Sequence, residues 1–318
     1  MIPDNNWYGH RRILAEYCGL RGGDRPAFAG IMHGWQLALM PGQGNRRLTV
    51  APHLVWNRRH LQQAREAGVE NVHAVGGPFT YLCALLDSRI SGPPAGGTGT
   101  LVFPFHGSPL KRVFQDREGL IRGVEEREEA PFTVSIFSSD LDRPDVVRPF
   151  QEAGWRVVSF GRRDDPAFLF RLYAEILTHR TVLADRVGSG IWYGAYLGRS
   201  VRVGGPRPGQ QGSAWVGLDE SAVLRERDLY PELHCDGLSG KQAREIAAEE
   251  LGADCMLPAS ELESLLGWRS TWRRGAAQLV ATAMELKFGR AYRAGTDERP
   301  GPWRLRKEIA PPNETSRG

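Results

Sequence analysis

Three stretches of this sequence carry side chains suited to chemistry on a phosphorylated substrate. The first is Asp185-Arg186-Val187-Gly188-Ser189-Gly190. A glycine-bearing loop that runs from a strand into a helix gathers backbone N–H groups and the positive end of the helix dipole at one spot, which suits a diphosphate. Ser189 adds a hydroxyl donor. On the plainer reading, Gly188 and Gly190 only permit a tight turn and Ser189 only caps the helix. The second is His33, which follows the apolar run Ala27–Met32 and precedes Gly34. An imidazole titrates near neutrality, so at a strand end it can take the proton of an acceptor hydroxyl; equally, it can be a histidine that simply closes the strand. The third is His106-Gly107-Ser108, at a similar strand end, where Gly107-Ser108-Pro109 also reads as ordinary turn chemistry. Arg162 and Arg163 can bind phosphate oxygens, although paired arginines are by default solvated.

These residues can act together only if the chain delivers them to the carboxyl ends of parallel strands, where open α/β sheets bind ligands. The pattern predicts such delivery. A helix is expected over Trp7–Tyr17 and strands over Ala27–Met32, His53–Trp56 and Val72–Val75. Asn57 caps a helix over Arg58–Ala67 that stops at Gly68, and Gly76-Gly77-Pro78 reads as a turn. The run Ser91-Gly92-Pro93-Pro94-Ala95-Gly96-Gly97 cannot form a core element and reads as a linker. After it come a strand at Thr100–Phe105 and a charged helix from about Lys111 to Glu129. Strands at Phe132–Phe137, Trp155–Phe160, Thr181–Asp185 and Ser200–Val203 then alternate with helices at Pro144–Ala153, Pro166–His179 and Ser189–Leu197. Asp165 before Pro166 is a helix start, and Gly154 and Gly198 stand where left-handed C-caps belong. Helices near Gly240–Leu251, Ala259–Leu266 and Trp272–Phe288 complete the pattern. The fold class expected is α/β, with two Rossmann-like domains facing a central cleft. Their bounds are 1–87 and 100–270, joined by a linker at 88–99, and 271–318 is a helix packing back on the first domain plus a tail.

The 318 residues exceed one ordinary hydrophobic core, and 41% hydrophobic with 25% charged residues is the balance of a folded enzyme. The formal charge of +4 comes with an excess of arginine and suits an anionic small molecule. It suits nucleic acid as well, and Arg269, Arg273, Arg274, Arg290, Arg293, Arg304 and Arg306 cluster toward the C-terminus. No nucleic-acid motif accompanies them, so that reading ranks last. Four cysteines without a C-x-x-C pair read as reduced thiols. With no signal peptide at the N-terminus and no apolar run of roughly 20 residues, the expectation is a cytoplasmic protein without a transmembrane segment, peripheral membrane association remaining an option. No metal-ligand spacing, G-x-S-x-G elbow, G-x-G-x-x-G fingerprint or P-loop occurs. The expectation is therefore a metal-independent protein without a bound cofactor.

The order of features resembles the CDP-glycerol glycerophosphotransferase family over roughly residues 27–204. Gly30-Ile31-Met32-His33-Gly34-Trp35-Gln36 is similar to that family's His-Gly element, and Leu54–Pro78 to the later part of its first domain. Leu101-Val102-Phe103-Pro104-Phe105-His106 resembles the strand opening its second domain. Leu183–Ser189 with Ala195–Val201 resembles its aspartate–serine donor loop and the elements after it. More broadly, these are features of GT-B glycosyltransferases. The resemblance implies an acceptor-side first domain with His33 as catalytic base beside Gly34. It also implies a donor domain in which Asp185, Ser189 and Gly190 lie near the donor's phosphates or nucleotide. On the leading hypothesis, the helix at Ser189 with Arg162 or Arg186 stabilises the leaving phosphate, and His106 and Ser108 stand at the other strand end. Two departures stand out. The family's Arg-x-His-Pro histidine is replaced by Ser138-Ser139-Asp140, and its Thr-Asp-Tyr-Ser-Ser reads Ala184-Asp185-Arg186-Val187-Gly188-Ser189. The implied activity is transfer of a sugar from a nucleotide-activated donor, a co-substrate, to an acceptor hydroxyl in polysaccharide or glycoconjugate biosynthesis. The alternatives are CDP-polyol phosphotransfer and a non-catalytic partner subunit.

Overall fold

The computed structural model describes residues 7–20, 25–37, 51–87, 96–105, 112–206, 209–211, 220–277 and 279. In chain order the elements begin with α1 (His10–Tyr17), β1 (Gly30–Ile31), β2 (His53–Val55), α2 (Arg58–Glu66), β3 (Val72–Ala74) and α3 (Pro78–Asp87). Next are β4 (Thr100–Phe103), β5 (Arg112–Phe114), α4 (Arg117–Glu125), β6 (Phe132–Ser135), α5 (Pro144–Glu152), β7 (Arg156–Val158) and α6 (Phe168–Leu177). The chain continues with β8 (Thr181–Ala184), α7 (Ser189–Tyr196), β9 (Ser200–Val203), β10 (Gly209–Gln211), α8 (Glu220–Leu229), α9 (Gly240–Leu251) and α10 (Ala259–Leu265).

The chain divides into two compact units built from interleaved segments. The first takes Met1–Gly92, Arg163–Phe170 and Ala248–Leu305; the second takes Pro93–Arg162, Arg171–Ala247 and Arg306–Gly318. The sequence placed 100–270 in one domain, whereas here 163–170 and 248–270 group with the first unit. Most of the expected linker, 88–95, lies outside the described residues, as does most of the expected C-terminal helix and tail beyond 277.

In the first unit β1, β2 and β3 form a parallel three-stranded sheet in sequential order. Asn57 caps α2 as its sequence position demands, its side-chain oxygen accepting from the His60 N–H at 2.9 Å. Val55, Ala64 and Val72 bring β2, α2 and β3 onto one small apolar cluster. Gly76-Gly77-Pro78 leads into α3, a helix the sequence reading passed over. Its residues Pro78 to Cys83 are all buried, so its first turns give no apolar/polar alternation for the sequence to reveal.

The second unit holds the expected doubly wound sheet. Its five strands are all parallel in the order β7-β6-β4-β8-β9. The chain steps outward from β4 through β6 to β7, then returns to the other side of β4 for β8 and β9. On one face Leu120, Ile121 and Val124 of α4 and Val146, Val147 and Phe150 of α5 pack with Val102, Val134, Val157 and Leu183. On the opposite face α7 lies against β8 and β9 so closely that a Cβ at Gly194 would sit 2.8 Å from the Val182 side chain. Adjacent strand residues point to opposite faces, and Leu183 and Val182 serve the two layers in turn. The expected charged helix at Lys111–Glu129 is shorter, because residues 112–114 form β5 and pair antiparallel with β10. That pairing joins segments about a hundred positions apart, which no local pattern reveals.

Candidate functional site

His33 lies two residues past β1, at its carboxyl end. The loop that carries it is held on both sides. The Met32 N–H donates to the Leu54 carbonyl at 2.9 Å, and the Trp56 indole donates to the Met32 carbonyl at 3.0 Å. Beyond Gly34, the Trp35 indole donates to the Glu250 carboxylate at 2.6 Å. Glu250 is only 5% exposed and also receives both terminal nitrogens of Arg59, at 2.7 and 2.5 Å. A charge buried this far is tolerable because charged and neutral donors surround it.

Trp7 stacks on the His33 ring, with centroids 4.9 Å apart and planes at 28°. The Arg163 guanidinium lies 4.2 Å from the Trp7 ring centroid. The turn before α1 makes this contact possible. Tyr8 has φ 53° and Gly9 φ 79°, both left-handed, and a Cβ on Gly9 would overlap the Pro166 carbonyl oxygen. Only glycine fits there. The Tyr8 ring meets Phe168 at 4.7 Å, which holds the turn against the 163–170 segment of the same unit. Burial, and then the positive charge of Arg163, lower the pKa of His33 below its ordinary value. At neutral pH the imidazole is therefore uncharged and able to accept a proton. His10, 1% exposed, is pushed down to about 3 by burial first and by His33 second, and neither of its ring nitrogens is hydrogen-bonded.

In the second unit, the order of strands places the topological switch between β4 and β8. Asp185 sits at that point. Its carboxylate accepts from the Phe105 N–H at 3.0 and 2.9 Å and from the Gln115 side-chain amide. Burial raises its pKa to about 7, with the Phe105 hydrogen bond and the Arg186 charge opposing. Asp185 thus ties the end of β4 to the end of β8. Immediately after it, α7 opens with Gly188 as N-cap in extended conformation and Ser189 as its first residue. Ser189 therefore does not cap the helix, contrary to the plainer sequence reading. Gly188 needs no special backbone, having φ −163°, and a Cβ there would meet nothing within 4 Å. Gly190 has a packing reason: its Cβ would come 3.0 Å from the Phe103 ring.

Arg186, expected near a phosphate, is paired with Glu226 at 2.6 Å and lies 5.5 Å from the Phe105 ring centroid. The two side chains are 13% and 5% exposed, so the pair is buried. Arg162 follows β7, at the sheet's edge, three strand positions from β8. At about 4.8 Å per strand, the end of β7 lies roughly 14 Å across the sheet from the end of β8, where Asp185 follows. Arg163, next to Arg162, belongs to the first unit with His33. His106 and Ser108 lie outside the described residues. Trp7 and Glu250, which shape the surroundings of His33, were not singled out from the sequence, and Arg163 was read only as a phosphate ligand, because each is far from residue 33 along the chain. Among the described residues no helix is long and apolar enough to cross a membrane, and no group of His, Cys, Asp and Glu is gathered that could hold a metal ion.

No protein-family model matches this chain, and no curated protein matches it.

Proposed function

We propose that the protein is a nucleotide-dependent transferase whose second unit binds an activated donor and whose His33 serves as general base. The observation that carries this reading is the parallel β7-β6-β4-β8-β9 order, with Asp185 joining β4 to β8 and α7 opening directly after it. A helix N-terminus beyond the carboxyl end of a strand at a switch point is where such sheets take nucleotides. His33 supports the chemistry by being uncharged and held in place at a strand end. The resemblance to GT-B enzymes in these same segments favours a nucleotide sugar as donor. In that reaction the acceptor O–H gives its proton to His33, its oxygen bonds to the anomeric carbon, and the carbon–oxygen bond to the nucleoside diphosphate breaks. With a CDP-polyol, the same oxygen would bond to phosphorus and CMP would leave.

A second reading, a partner subunit that retains the fold without the activity, rests on the loop after β6. It carries Ser138-Ser139-Asp140 where the family has a histidine, and Asp140 is paired to Arg143 at 3.2 Å. Hydrolysis of nucleotide sugars and CDP-glycerol by the purified chain separates the two. The transferase reading expects slow donor hydrolysis that disappears in His33→Ala with the fold intact. Equal rates in both proteins would remove His33 from the reaction.

A further inference from the structure

A cleft of about 380 Å³, counted with its open mouth, lies in the second unit beyond the carboxyl ends of β4 and β6. Phe105, Phe137, Gln115 and the arginines Arg117 and Arg143 line it, with Asp140, which is paired to Arg143, as its acidic residue. The two arginines differ. Arg143 is engaged by Asp140 at 3.2 Å and Asp145 at 2.7 Å. Arg117, the half-buried first residue of α4, makes no hydrogen bond or ion pair among the described residues. Burial lowers its pKa most and the nearby Arg143 adds to this, while the Asp145 and Asp140 carboxylates oppose it without pairing to the guanidinium. A half-buried guanidinium whose forked donors lack a hydrogen-bonded partner can gain from an anion with oxygens to fill them.

We propose that this cleft is a phosphoryl-anion site with Arg117 as its charged ligand. The flat rings of Phe105 and Phe137 suit a planar group attached to that anion, such as a nucleobase. The nucleoside part rests on the function proposed above; the anion site at Arg117 does not. Gln115 connects the two ideas physically, since it lines the cleft and also donates to Asp185.

Calorimetric titration of the full chain with inorganic pyrophosphate, CDP and UDP tests this, using wild type, Arg117→Ala, Arg117→Lys and Arg180→Ala. Arg180 immediately precedes β8, at the amino-terminal end of the strand away from the cleft, and is exposed, so its removal controls for net charge. The expected result is pyrophosphate binding that weakens about tenfold or more in Arg117→Ala, is partly kept in Arg117→Lys, and is unchanged in Arg180→Ala. Circular dichroism confirms that each variant is folded. Pyrophosphate binding that depends on Arg117 without any nucleotide preference would keep this site and remove the nucleotide reading. Nucleotide binding indifferent to Arg117 would keep that reading and overturn this site, as would failure of pyrophosphate to bind the wild type.

Discussion

Asp185 and Phe105 join two strands that are 80 residues apart in sequence: the carboxylate of one accepts the backbone N–H of the other at 2.9 and 3.0 Å. The bond spans the point where the sheet reverses its winding, so it sets the distance between the loops that flank the proposed nucleotide crevice. Because burial raises this carboxyl to about 7, the native state holds its proton more tightly than the unfolded chain does. The stability it contributes is complete below the ordinary carboxylate pKa and is lost as pH rises toward 7, at up to about 1.4 kcal/mol per pH unit. Asp185→Asn keeps an acceptor for Phe105 and cannot ionise. Melting temperatures across pH 5 to 8 should fall less in Asp185→Asn than in wild type; parallel curves would mean that Asp185 ionises freely.

Glycine has opposite meanings at two positions. Gly9→Ala meets both a left-handed backbone and the Pro166 carbonyl, and should cost about 1–3 kcal/mol. Gly123→Ala, inside α4 with nothing within 4 Å of the added Cβ, should stabilise by about 0.5–1 kcal/mol. Denaturant melts of the two variants give the comparison directly. If Gly9→Ala were as stable as wild type, the turn that carries Trp7 to His33 would be wrongly described.

The buried Arg186–Glu226 pair predicts strong coupling. Removing one partner strands the other charge, at a cost of about 3–5 kcal/mol, while replacing both with apolar residues of similar size recovers most of that. A double-mutant cycle with Arg186→Met and Glu226→Leu measures it. Additive losses would show that the two residues act independently.

In the transferase reading proposed above, the acid limb of activity reports His33. With its pKa below the ordinary histidine value through burial and Arg163, the base should stay deprotonated into mildly acidic conditions. Arg163→Gln removes the positive neighbour, so the folded pKa rises and the acid limb moves to higher pH. A profile that does not move would separate Arg163 from the base.

Much of the second unit was legible because its signals are local. The apolar runs that became β6, β8 and β9 fall where the alternation put them, and Gly154 and Gly198 adopt the left-handed caps expected, with φ 77° and 76°. Asp165 also serves near a helix start, accepting from the Ala167 N–H at 2.8 Å, though α6 itself begins at Phe168. What the sequence concealed is long-range. The grouping of 163–170 with the first unit made Arg163, not Arg162, the arginine beside Trp7 and His33. Arg186 looked free for a phosphate because its partner lies 40 residues away at Glu226. Arg117 drew no notice because only the folded sheet borders it with a cleft.

Nucleotide binding at the start of α7 is the central claim, and Ser189→Asp tests it most directly. An aspartate in the first turn of a helix favours the helix dipole, so the fold should hold, while its charge repels a phosphate placed there. Thermal shifts with a panel of nucleoside diphosphates and nucleotide sugars should show one base preferred by the wild type, with the shift abolished in Ser189→Asp. An unchanged shift in a folded Ser189→Asp protein, or no shift with any nucleotide in the wild type, would contradict the account.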